Sequence, residues 1–110
     1  MNLEKIIFNN LINNEEYTRK VIPFLKEEYF TSQEDKQVFN IINNYIKLYN
    51  KIPSKEALLV DLSNMTMSQE THKTCYDIIS SLEKTNSNDD QWLIDNTEKF
   101  CQEKIGRAHV

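Results

Sequence analysis

Ser32-Gln33-Glu34-Asp35-Lys36-Gln37-Val38-Phe39-Asn40-Ile41-Ile42-Asn43-Asn44-Tyr45-Ile46-Lys47-Leu48-Tyr49 is the stretch that decides the fold class. Thr31-Ser32 followed by Glu34 and Asp35 is a capping-box-like helix start. Val38, Phe39, Ile41, Ile42, Tyr45, Ile46 and Tyr49 then form a broad apolar stripe at helical spacing. A stripe that broad predicts a central helix, about Gln33 to Tyr49, packed on more than one side.

Working outward, Asn2 caps a first helix whose Leu3, Ile6, Ile7 and Leu11 recur at helical spacing. Asn13-Asn14 closes it, and Asn14 caps a short second helix through Glu15, Glu16 and Tyr17. Pro23 ends that helix and suits the first turn of another, Pro23–Glu28, with Phe24, Leu25, Tyr29 and Phe30 as its apolar contribution. Asn50-Lys51-Ile52-Pro53-Ser54 reads as a turn. Ser54 caps a helix with Leu58, Leu59 and Leu62 inward and Lys55 and Asp61 in solvent. Ser68 caps a helix to about Lys84 with Cys75, Tyr76, Ile79 and Leu82 inward. Thr85–Asp90 is the most loop-like stretch. Asp89 or Asp90 caps a last helix carrying Trp92, Leu93, Ile94, Thr97, Phe100 and Cys101. No segment alternates with period two. The predicted fold is all-α, a compact bundle of six to seven helices.

Composition bounds the chemistry. The 110 residues suffice for one domain and carry a net charge of −4, so an acidic chain without a basic stripe is not expected to grip nucleic acid strongly. No apolar run reaches membrane-span length, and Met1–Phe8 does not read as a signal peptide. Cys75 and Cys101 stand alone and read as free thiols in a reducing compartment. The chain's single glycine, Gly106, rules out every glycine-rich phosphate loop.

Catalytic and metal constellations find equally little support. His72 and Cys75, three apart on a helix, make half a zinc site with no second half, and a solvent-side His beside a core Cys explains them more simply. Cys101 with His72 lacks a group to orient the base. Glu15-Glu16, Glu27-Glu28, Glu34-Asp35 and Asp89-Asp90 fall at helix starts, helix ends and loops, where capping and solvation account for them. Lys47, Lys51 and Lys55 flank the Pro53 turn as a modest basic patch and read as a solvated face. No catalytic, cofactor-binding or metal-ligating residue is assigned.

Ile105-Gly106-Arg107-Ala108-His109-Val110 leaves the helical pattern. Translating ATC-GGA-AGA-GCA-CAC-GTC, a string of a common short-read sequencing adapter, yields these six residues in order. Residues 105–110 therefore read as an adapter artefact, with the natural protein continuing beyond Lys104.

The ordered set of segments also resembles a known family. L-E-K-I-I-F-N-N-L-I precedes Y-T-R-K-V-I-P-F-L-K-E-E-Y-F, then V-F-N-I-I-N-N-Y-I-K-L-Y, I-P-S-K-E-A-L and Q-W-L-I-D-N-T-E-K-F. From Met1 to about Lys104 this resembles the N-terminal domain of the DnaB-like replicative DNA helicases of T-even-type tailed phages. The resemblance implies a helical collar domain over residues 1–88 and the first helix of a truncated helical hairpin linker over 89–104. It implies self-association into dimers within a hexameric ring, docking of primase and helicase loader, and a place in the cytoplasm of an infected bacterial host. ATP and magnesium are expected only in a C-terminal motor domain, because this chain has no P-loop, Walker B aspartate or arginine finger. Leu93 and Phe100 on the last helix, with the turns at Pro23 and Pro53, are the candidate pairing or partner surfaces. The alternative reading is a stand-alone small helical adaptor that binds a replication or host partner.

Overall fold

The computed structural model describes residues 2–83 and 90–108, with only the backbone for 106–108. Among these residues there are six α-helices, one 3-10 turn and no strand, so the chain is an all-α bundle. The helices are α1 (Leu3–Asn13), α2 (Glu15–Val21), α3 (Gln33–Tyr49), α4 (Lys55–Ser63), α5 (Gln69–Ser80) and α6 (Asp90–Ala108), and the 3-10 turn is Glu27–Tyr29.

Local chemistry starts these helices where the sequence places the caps. Asn2, Asn14, Ser32, Ser54 and Ser68 each accept a hydrogen bond from a first-turn amide, satisfying a donor the helix itself leaves open. Asn50 ends α3 in the left-handed region at φ 55°, a conformation asparagine tolerates better than most residues.

Helix α3 is central, packed against α1, α4, α5 and the 3-10 turn. Val38, Phe39, Ile41 and Ile42 are buried on it. Phe30 is the hub of the aromatic core. Its ring lies 5.2 Å from Phe8, 5.0 Å from Phe39 and 5.4 Å from Phe100, bringing together α1, α3 and α6. Lys36 donates to the Phe30 carbonyl and fixes the chain entering α3.

Several expectations are corrected. Pro23–Glu28 is not a helix. Phe24 and Leu25 both donate to the Val21 carbonyl, Lys26 is extended, and only Glu27–Tyr29 coils again. Across this break Leu25, Tyr29 and Phe30 all turn inward. Helix α5 stops at Ser80, short of the predicted end near Lys84. Glu83 leaves the helix because its N–H donates to Asn9 Oδ1 (3.0 Å) and its carbonyl accepts from Asn13 Nδ2 (2.7 Å).

Tyr76 is 51 % exposed and Tyr49 55 % exposed, although helical spacing predicts both inward. Tyr76 lies beside the buried Cys75–Ile79 stripe, and Tyr49 sits in the last turn of α3, its ring tilted against Tyr45 at 4.6 Å. Lys55 is half-buried rather than solvated, because its Nζ donates to the Ser80 carbonyl (2.9 Å) and ties α4 to α5. Helix α6 continues through Ile105–Ala108, past the predicted end at Lys104. One glycine near a helix end costs only about 1 kcal/mol relative to alanine, too little to stop it. The predicted loop at 85–89, the alternative cap Asp89, and His109 and Val110 lie outside the described residues.

Candidate interaction surface

The four residues proposed from sequence divide sharply. Leu93 is 6 % and Phe100 4 % exposed, so both are spent inside the domain. They belong to the face by which α6 docks on α2 and the 3-10 turn. At its centre lies a buried polar tie. Thr97 donates to the Leu93 carbonyl (2.7 Å), which leaves the Tyr17 hydroxyl to donate to Thr97 Oγ1 (2.7 Å). Burial pushes the Tyr17 phenol up to about 12, opposed by the Thr97 hydrogen bond and helped by nearby Cys101. Lys104 closes the seam, donating to Thr31 Oγ1 (3.0 Å) with its Nζ 5.4 Å above the Phe100 ring. The outward side of α6 is mostly polar, apart from Trp92 and Ile105.

Pro23 is exposed and Pro53 is buried. Pro53 lies in a depression of about 560 Å³ with Ile12 and Leu82. Pro23 borders a different feature, a groove of about 240 Å³ where the end of α2 meets the end of α3. Ile22, Pro23, Ile46 and Ile52 give it an apolar floor, and Glu15, Arg19, Asn50 and Lys51 form its rim. Thus the structure brings the Pro23 turn to the turn that leads into Pro53, but sets Leu93 and Phe100 apart. Sequence reasoning missed this groove because its two sides lie on helices separated in the chain. The signal available was the paired turns themselves.

Among the described residues no three His, Cys, Asp or Glu side chains converge as metal ligands. Cys75 is fully buried, its Sγ 3.7 Å from the Glu34 carbonyl. Burial, then Glu34 and Asp35, push its thiol up to about 11. Burial, then Glu98, push Cys101 to about 11 as well. Thiols held protonated in this way are poor nucleophiles at neutral pH. Glu15 and Glu16 pair with Arg19 (2.8 Å) and Lys20 (3.6 Å) on the surface of α2. Among the described residues, no helix is long and apolar enough to cross a membrane.

No known family profile matches the chain. Among curated proteins, the DnaB-like replicative helicase of Enterobacteria phage T4 is 33 % identical over 100 residues, which is 91 % of this chain and 21 % of that helicase. The chain thus spans about a fifth of its relative's length. The relationship runs across the helices whose caps and core are described above, so it concerns the whole domain rather than a short motif. This all-α chain is, over nearly its entire length, a relative of one portion of a phage DnaB-like replicative helicase.

Proposed function

We propose that the chain is the non-catalytic N-terminal domain of a phage replicative DNA helicase, serving hexamer assembly and the docking of primase and loader. The observation that carries this reading is the alignment of nine-tenths of the chain with only a fifth of the phage T4 helicase. That proportion is what one domain of a multidomain ring protein would give. The geometry supports a binding role, since the buried thiols and the dispersed carboxylates offer no reacting centre. ATP and magnesium belong, on this reading, to a motor domain encoded elsewhere in the parent protein.

Self-association would use outer helix faces, because Leu93 and Phe100 already sit in the core. Leu48, Tyr49, Val60 and Tyr76 are the large apolar side chains left exposed on α3, α4 and α5. Sedimentation equilibrium tests the reading: the domain should self-associate as concentration rises and should hydrolyse no ATP. Sequencing the locus past codon 104 completes the test. A frame that runs on into G-x-x-x-x-G-K-[ST] supports the helicase domain, whereas a stop codon with a strict monomer supports the stand-alone adaptor.

A further inference from the structure

Helix α5 turns a stripe of side chains away from the bundle. Glu70, Lys73, Tyr76, Asp77 and Ser80 are all exposed, and their spacing puts them on one helix face. Glu70, Lys73 and Tyr76 line one depression with Gln69 and His72, so they share a surface. Tyr76 is the large apolar side chain of the stripe, half open to solvent. Lys73 and Asp77 flank it, and neither has an ion partner among the described residues.

Helix α4 extends this face. Its link to α5 is short, and Lys55 at its start donates to the Ser80 carbonyl at the end of α5 (2.9 Å), so the two helices run antiparallel. Counting inward from that contact sets Val60, 60 % exposed, level with Tyr76. The middle of the face is therefore apolar and its flanks are charged.

The order of the charges selects an occupant. Along α5 the signs run from negative at Glu70 to positive at Lys73 and negative at Asp77, with the Lys55 ammonium at the Ser80 end. That order complements itself when reversed. A second copy turned end for end, with the two-fold axis level with Cys75, sets Lys73 against the partner's Asp77 and Asp77 against the partner's Lys73. Glu70 then faces the partner's Lys55, and the two Tyr76 rings meet at the axis. A parallel pairing would oppose like charges at both positions. The other exposed apolar pair, Leu48 and Tyr49, is flanked by Lys47 and Lys51, a single sign that repels its own copy.

We propose that the outer face of α5, with Val60 beside it, pairs antiparallel with the same face of a second copy, Tyr76 at the two-fold axis and Lys73 bridging to the partner's Asp77. The proposal deepens the self-association reading above and rests on it. The 12 residues of α5 span only about 18 Å. A face that short falls well below the roughly 800 Å² per partner of a stable interface. The pair is therefore weak in the isolated chain, and gains strength where a ring holds neighbouring domains at high effective concentration.

Sedimentation equilibrium of the 110-residue chain tests this, with amide NMR reporting the fold of each variant. Wild type should associate at high concentration, with shifts on dilution concentrated along residues 70–80. Lys73→Asp and Asp77→Lys are exposed changes that spare the core. Each alone should weaken association about tenfold, because it opposes like charges twice across the axis. Mixed in equal amounts, the two variants should associate again, two acids on one chain facing two lysines on the other. The chain carrying both changes should associate like wild type. Association of Lys73→Asp as strong as wild type overturns the α5 face and leaves self-association standing. Loss without rescue, by mixing or by the double change, overturns the antiparallel pairing. A strictly monomeric wild type overturns the proposal together with the self-association reading, and leaves the stripe to a partner of another kind.

Discussion

Helices α3 and α6 are similar in length, at 17 and 19 residues, but they belong to the fold in different ways. Helix α3 meets α1, α4, α5 and the 3-10 turn, and buries four consecutive-turn apolar residues outright. Helix α6 touches α2 and the 3-10 turn along one stripe of Leu93, Thr97, Phe100 and Cys101. One of these four is a threonine, and it holds the only buried side-chain hydrogen bond described between α6 and the rest of the bundle. The difference teaches that α3 is indispensable to the core, whereas α6 is a lid over it, specified by a polar tie and by the contact of Phe100 with Phe30.

The sharpest way to break the comparison is to hollow each helix in turn. Phe39→Ala should cost about 4 kcal/mol and unfold the domain globally in urea. Phe100→Ala should cost about 3 kcal/mol, and hydrogen exchange should quicken first in α6 while α3 stays protected. Equal loss of protection in both helices would show that α6 is no separable lid.

A smaller effect isolates the tie itself. Thr97→Val keeps the shape but strands the buried Tyr17 hydroxyl, at a cost of about 1–3 kcal/mol. Tyr17→Phe should cost less, since Thr97 keeps its bond to the Leu93 carbonyl. The phenol rises from 10.0 to about 12 on folding. Its protonated form is therefore favoured by the fold, and that contribution is complete below pH 10 and lost as pH climbs through 12. The loss amounts to at most about 3 kcal/mol. The thiols, raised from 9.0 to about 11, begin the alkaline loss earlier. Tyr17→Phe should flatten only the part between pH 10 and 12 in denaturant titrations. An unchanged slope there would remove Tyr17 as its source.

Smaller still, Ser32→Ala should cost about 1 kcal/mol by freeing the Asp35 amide that it caps. Thermal melts of this variant would sharpen the claim that α3 rests on its own capping as well as on packing. Smallest is Glu16→Ala. It breaks a pair whose side chains are 72 % and 55 % exposed, and the expected change stays within about 0.5 kcal/mol.

Much of this architecture was readable from the chain, and the reasons are local. A capping side chain bonds an amide two or three residues away, so Asn2, Asn14, Ser32, Ser54 and Ser68 announce helix starts unaided. The breadth of the α3 stripe likewise revealed a central helix. What stayed hidden depends on neighbours. Periodicity cannot say whether a helix face finds a partner, so it predicts Tyr49 and Tyr76 inside and does not reveal that the bundle covers Leu93 and Phe100. The break after Pro23 serves the burial of Leu25, Tyr29 and Phe30 together, a tertiary demand that local rules do not express. The groove draws its walls from two helix ends far apart in sequence, and only the folded chain juxtaposes them.

The tie between Tyr17 and Thr97 joins residues 80 positions apart. At roughly 5–20 residues synthesised per second, about 4–16 s separate the making of its two halves. Helices and local collapse form within microseconds to a fraction of a millisecond, so α1 to α5 can assemble long before α6 exists. During those seconds Phe30 lacks Phe100, and the newborn chain on the ribosome carries an uncovered apolar seam. The last helix therefore closes the domain in time as well as in space, and until it arrives the seam is open to chaperones and to neighbouring nascent chains.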